Sequence, residues 1–224
     1  MRLVLLSGGS GVGLAHELAG RCELTVVVPT TRDSWAGGLK RSPDLDAFCA
    51  DPDADVTYGV AAALDALGFG AQWQRGNDDE MALRIMRTEL LHAGFTLTEA
   101  TTAVAERRKL PFALLPLSDD RGELHVVVTD DEGRRAIHLD EHRASLPVGD
   151  PPEPSLVAMT WAVTDAVVAA VEASESTTVA VNGSGPNVVH AAAAISERVP
   201  DARFIDVAGH GLADIMTAVT APRS

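Results

Sequence analysis

The sequence predicts an α/β fold, a three-layer sandwich with a mostly parallel, Rossmann-like sheet and an inserted helical block. Short, continuously apolar runs recur along the chain, as in strands covered on both faces. Helical patterns separate most of these runs, which implies right-handed crossovers between parallel strands. Residues 56–108 break the alternation, with three helical patterns and no strand between them.

The strand-like runs are Arg2–Leu6, Leu24–Val28, Ala113–Leu117, Leu124–Thr129, Thr177–Val181 and Arg203–Val207. Helices are expected over Gly13–Ala19, Val56–Leu67, Asp79–Ala93, Thr98–Arg108, Ser155–Ala173, Val188–Arg198 and Leu212–Val219. Thr98 is the expected N-cap of the fourth. Leu124–Thr129 and Arg135–Leu139 read as a hairpin turning at Asp130-Asp131-Glu132-Gly133. Residues 147–154 hold four prolines and form a stiff connector, the best candidate boundary in the chain. The expected organisation is a single α/β domain over 1–224, with a helical insertion at 56–108 and a hairpin at 124–146.

Composition narrows the function classes. With 18 Lys+Arg against 32 Asp+Glu the formal net charge is −14. Such a surface repels nucleic acid and anionic membranes, so a phosphate-bearing ligand must be held locally, by backbone amides, a metal or a few cations. Cys22 and Cys49 are too few for a disulfide framework and read as reduced thiols. The first apolar run ends in glycines, unlike a signal peptide. The longest apolar region, Leu156–Val171, is broken by Thr160, Thr164 and Asp165, and is too short and polar to span a bilayer. It is expected to be core or the face of a homodimer, and the protein is expected to be cytoplasmic.

The chemistry-bearing segments lie at strand ends. Arg2-Leu3-Val4-Leu5-Leu6 runs into Ser7-Gly8-Gly9-Ser10-Gly11-Val12-Gly13. Glycines there let backbone N–H groups approach a phosphate, which makes Gly8, Gly9, Ser10 and Gly11 binding candidates. No Gly-Lys-Ser/Thr follows, so the turn is not a P-loop. Gly9, Gly11 and Gly13 lack the dinucleotide spacing, and Pro29-Thr30 stand where that fingerprint has an acidic residue. Asp33, Asp44 and Asp46 follow the second strand and are candidate ligands for Mg²⁺, which needs only one or two carboxylates beside phosphate oxygens. The alternative for Asp44 is capping a short helix after Pro43. Ser118, Asp119 and Asp120 sit at another strand end, as a binding edge or a plain turn. Asn182, Gly183, Ser184 and Asn187 form a second strand–turn–helix segment, an anion or base site or again a turn. No His spacing suggests a metal site.

Taken together these segments resemble the 2-phospho-L-lactate transferase family of deazaflavin coenzyme biosynthesis. Ser7 to Leu14 aligns with the family's A-G-G-V-G-G-A-R turn, without its second double glycine and its Arg. The family's N-T-G-D-D-x-W matches Pro29 to Trp35, with the second Asp kept as Asp33 and the first replaced by Arg32. G-L-R-I-S-P-D-L-D is nearly complete as Gly38 to Asp46. Asn77 to Leu91 looks like G-D-x-D-L-A-x-x-L-x-R-T-E-L-L, and Leu115 to Arg121 matches L-P-M-S-D-D-R. The likeness is specific from residue 1 to about 128 and loose beyond it.

The resemblance implies a transferase. It would move a phospholactyl or phosphoenolpyruvyl-type unit from a guanylyl-activated, GDP-linked donor to the deazaflavin Fo or a related hydroxyl acceptor, releasing GMP. On that expectation Asp33 with Asp44 or Asp46 holds Mg²⁺ against the diphosphate, the Gly8–Gly11 amides cradle it, and Lys40 adds a point charge. The Asn182–Asn187 turn reads guanine or ribose, and Asp78 orients the acceptor hydroxyl, so Asp33 and Asp78 are the catalytic candidates. The alternative is a non-catalytic regulator of the gluconeogenesis-factor type that binds a nucleotide or nucleotide sugar, a reading that Arg32 in place of a carboxylate favours.

Overall fold

A computed structural model describes residues 1–51, 53–69, 75–120, 123–131, 133–146, 156–158 and 162–221. Along the chain β1 (Arg2–Ser7), α1 (Val12–Ala19) and β2 (Glu23–Val28) lead into a small hairpin, β3 (Ser34–Ala36) and β4 (Leu39–Arg41). Then come α2 (Pro43–Cys49), α3 (Gly59–Ala66), α4 (Asp78–His92), α5 (Leu97–Arg108) and β5 (Ala113–Pro116). A second hairpin, β6 (Leu124–Asp130) and β7 (Gly133–His138), is followed by α6 (Leu139–Ser145) and β8 (Leu156–Ala158). The chain closes with α7 (Asp165–Glu172), β9 (Thr178–Asn182), α8 (Pro186–Arg198), β10 (Arg203–Asp206) and α9 (Leu212–Thr220).

The main sheet is parallel throughout, in the order β10-β9-β1-β2-β5. Its central strand shows why the runs are apolar without alternation. Leu3 and Leu5 pack with Leu24, Val26, Leu45, Phe48, Val104 and Ile215 on one face. Val4 and Leu6 pack with Val27, Val167, Val179, Val188 and Ile195 on the other. Helices α1, α2, α5 and α9 thus cover one side and α7 and α8 the other, which is the expected three-layer sandwich. β6, β7 and β8 form a separate antiparallel sheet in the order β7-β6-β8.

Several local expectations are corrected. The helix expected over Ser155–Ala173 is split: residues 156–158 pair with β6, and helix starts at Asp165. An apolar run fits strand and helix equally, and here pairing with β6 decides. Thr164 caps the helix, its Oγ accepting from Val167 N–H at 3.3 Å. Val167 and Val171 are fully buried, so this part of the apolar stretch is core. The cap of α5 is Thr96 rather than Thr98: its Oγ accepts from Glu99 N–H at 3.1 Å while the Glu99 carboxylate accepts from Thr96 N–H at 2.7 Å. This reciprocal pair satisfies two amide groups where Thr98 would satisfy one. The hairpin expected to run to 146 ends at His138, where α6 begins. The β3–β4 hairpin was not expected; Gly37 and Gly38, at φ +57° and +79°, form its turn. The proline-rich segment 147–154 lies outside the described residues. Among those residues no helix is long and apolar enough to cross a membrane.

Candidate functional site

β1 and β9 are neighbours, with Ser7 opposite Asn182, and the chain leaves them toward opposite edges of the sheet. That divergence opens a crevice at the carboxyl ends of the strands, where α/β sheets bind ligands. The side chains tie the two exits together: Asn182 Nδ2 donates to Ser7 Oγ at 3.0 Å. The glycine turn follows β1 and presses on its neighbours. A Cβ on Gly9 would come within 2.8 Å of Ala47 Cβ on α2, and one on Gly11 would collide with Ser7 Oγ. Close approach, not an unusual φ, is what demands glycine at these positions.

Three separate segments converge there on one carboxylate. Asp44, in the first turn of α2, accepts from Gly9 N–H at 2.9 Å and from Arg32 Nη1 at 3.0 Å through the same oxygen. Its other oxygen takes Asn187 Nδ2 at 3.4 Å. Arg32 reaches on to α6, donating from Nε and Nη2 to the two oxygens of Asp140 at 2.9 and 3.1 Å. Arg41 Nη1 also donates to Asp140, at 3.1 Å. Burial disfavours the charge on Arg32, but Asp140 and Asp44 outweigh it and hold the guanidinium above its ordinary range. For Asp140 burial pushes upward, and the bonds to Arg32 and Arg41 reverse it, leaving the carboxylate below its usual range.

Asp33, beside Arg32 in sequence, is buried and turned to a different partner set. Lys40 Nζ lies 3.0 Å from its Oδ2, and Ser42 Oγ donates to the same atom at 2.9 Å. Burial holds Asp33 above the usual carboxylate range despite Lys40 and Arg87. Asp46 points into the helical block, where it pairs with the buried Arg87.

The expected site residues therefore fall into groups. Gly8, Gly9, Gly11, Asp44, Asn182 and Asn187 meet at the crevice, with the exposed Ser10 at the tip of the glycine turn. Gly183, at φ +121°, and the exposed Ser184 lie in the turn leading to α8. Lys40 is buried against Asp33 rather than free to meet a ligand as a separate point charge. Asp119 and Asp120 line a cavity of about 210 Å³ with Lys40, Trp35 and His92. They also brace their surroundings: Asp119 accepts from Thr98 N–H at 2.7 Å and Asp120 from Ala162 N–H at 2.8 Å. The buried Ser118 accepts from Asp120 N–H at 3.1 Å. Asp78 takes Thr57 Oγ at 2.6 Å and the N–H groups of Gly59 and Val60 at 3.0 Å each. Those bonds hold its carboxyl below the usual range and give it the work of joining α3 to α4. A larger apolar cavity of about 280 Å³, lined by Leu39, Val60, Leu64, Met81 and Ile85 among others, contains none of the expected residues.

The carboxylates proposed for Mg²⁺ do not fit that role as the chain arranges them. Asp33, Asp44 and Asp46 each carry a cation in direct contact: Lys40, Arg32 and Arg87. A divalent cation needs oxygens free to face it at about 2.1 Å, and at Asp44 Oδ1, Asp33 Oδ2 and Asp46 Oδ1 it would compete with a guanidinium or ammonium group already in contact. Sequence reasoning missed Asp140, Arg41 and Arg87 as members of this network. Their partners lie 108, 99 and 41 residues away, so no local spacing announces them.

Fold and site together are those of a Rossmann-like α/β protein with a glycine-lined turn at the switch point of its sheet. The chain belongs to the 2-phospho-L-lactate transferase CofD family, whose family model matches residues 3–195. A phosphoenolpyruvate transferase from Thermobifida fusca is 37% identical over 174 residues, covering 66% of this chain and 54% of that protein. One from Kitasatospora aureofaciens is 35% identical over 158 residues, covering 63% and 49%. The chain spans about half the length of the curated relatives it matches. A crystal structure of a Bacillus halodurans protein shares the fold, at TM-score 0.56 and 13% identity over 92% of this chain and 68% of that one.

Proposed function

We propose that the chain acts as a transferase, moving a phosphoenolpyruvyl or phospholactyl-type unit from a GDP-linked donor to the hydroxyl of a deazaflavin such as Fo. Family membership supports the reaction type, and the names of the relatives support the transferred unit. One observation carries the assignment to this site: Gly9 N–H, Arg32 and Asn187 already hold an anion, the Asp44 carboxylate, at the switch point. A diphosphate oxygen seated there would receive the same donors.

In the reaction the acceptor hydroxyl attacks the phosphorus of the transferred unit. A new P–O bond forms, the bond to the GMP oxygen breaks, and GMP leaves with that electron pair while the hydroxyl proton passes to solvent. The protein's share is positioning and electrostatics. The Gly9 amide and Arg32 offset charge gathering on the leaving phosphate, and the Asn182–Asn187 turn approaches the nucleoside. Asp33 holds Lys40 and Ser42, and through Lys40 it bears on the cavity that Lys40 lines with Asp119 and Asp120.

The test is release of GMP from a GDP-linked donor mixed with Fo and the purified chain. Wild type is expected to release GMP in step with acceptor consumed, and Asp33→Ala to slow it at least about 100-fold by leaving Lys40 buried without its partner. Undiminished turnover by Asp33→Ala contradicts the role given to Asp33. A second reading, the nucleotide-binding regulator, is favoured by the pairing of every candidate metal carboxylate with a cation. Nucleotide binding without any GMP release would establish it in place of the first.

A further inference from the structure

Arg32 is the cation of this network that a ligand at the glycine turn can reach. Its side chain is 29% exposed, whereas Lys40, Arg41, Arg84 and Arg87 are each at 8% or less. Its guanidinium is also aimed. Two nitrogens are fixed by Asp140, which turns the third, Nη1, toward the oxygen that Gly9 N–H shares. A planar fork held in this way suits a phosphate better than a flexible ammonium.

The charges around it already balance. Asp33, Asp44, Asp46, Asp140 and Glu80 are matched by Arg32, Lys40, Arg41, Arg84 and Arg87, each in direct contact with an acid. Adding a divalent cation to that set places two further positive charges against guanidinium groups. A diphosphate instead takes over the two donors that Asp44 shares, Gly9 N–H and Arg32 Nη1, and leaves Asp44 with Asn187 Nδ2.

We infer that this site binds its diphosphate without a divalent cation, with Arg32 supplying the positive charge and Asp44 holding the seat in the free protein. The inference rests on the nucleotide site of the proposed function. Asp140 reaches the ligand through Arg32, which makes it a positioning residue, while its bond from Arg41 is structural.

Calorimetric titration of the purified chain with GDP, once in EDTA and once in excess Mg²⁺, tests it. The expected result is a Kd unchanged within about threefold between the two buffers, and a loss of at least about tenfold in both for Arg32→Gln. Wild-type affinity that falls more than about tenfold on chelation overturns the inference while leaving the nucleotide site standing. Arg32→Gln binding GDP as tightly as wild type overturns it as well. Absence of GDP binding in both buffers overturns the nucleotide site itself, and the inference with it. The chelation arm uses wild-type protein, so it decides the matter even where the variant fails to fold.

Discussion

At the scale of single residues, the buried charges set both stability and its dependence on pH. Asp140 joins Arg32 and Arg41 across 108 and 99 residues of chain. Replacing it with Asn leaves two guanidinium groups short of their counter-charge, which costs about 3 kcal/mol at pH 7 on the scale of broken buried pairs. Its folded-state pKa is depressed, so its contribution is present above the unfolded value and disappears as pH falls through the folded one. Asp33 has the opposite sign. Its pKa is raised by burial, so its contribution is full below the unfolded value and fades as pH rises through the folded one. Urea unfolding of wild type and Asp140→Asn is therefore expected to show a gap that is widest near neutrality and narrows below about pH 4. A gap that stays constant with pH would contradict the assignment. The sequence exposed Asp33 and Asp44 because they sit in a recognisable motif; it hid Asp140, whose significance comes only from the fold.

At the scale of elements, the glycine turn separates residues that look alike in sequence. Gly11 and Gly13 belong to one repeated pattern, yet a Cβ on Gly11 would collide with Ser7 Oγ while one on Gly13 would meet nothing within 4 Å. Gly11→Ala is expected to destabilise by about 1–3 kcal/mol, the usual penalty for overpacking. Gly13→Ala, inside α1, is expected to stabilise by about 0.5–1 kcal/mol by restricting the unfolded chain. Thermal unfolding of both variants decides; equal effects would show that crowding is not what selects glycine here. Elements were legible where one face or one period settled them, as in β1, β2 and β9. They were not where two periods competed, as over 155–173, or where a reciprocal cap two residues earlier outdid Thr98.

At the scale of the whole molecule, what could be read was the parallel sheet and the edge at which its polar turns gather. Continuous apolar runs identify strands covered on both faces, and glycine turns mark their carboxyl ends. What could not be read was how the second sheet and the helical block reach that edge. α6 brings Asp140 to Arg32, and α4 brings Arg87 to Asp46, through contacts without a sequence signature. Arg87 thereby pairs with Asp46, while Arg32 and Lys40 pair with Asp44 and Asp33, so all three apparent metal ligands are members of ion pairs. On the proposed function, a nucleoside diphosphate seats on the glycine turn in place of the Asp44 carboxylate. Backbone amide NMR during a GDP titration tests it most directly. Gly8, Gly9 and Gly11 and the Arg32 Nε–H are expected to shift first and furthest, as the Gly9 N–H exchanges Asp44 for phosphate. Shifts confined to the apolar cavity between the β3–β4 hairpin, α3 and α4, with Gly9 unmoved, would contradict it.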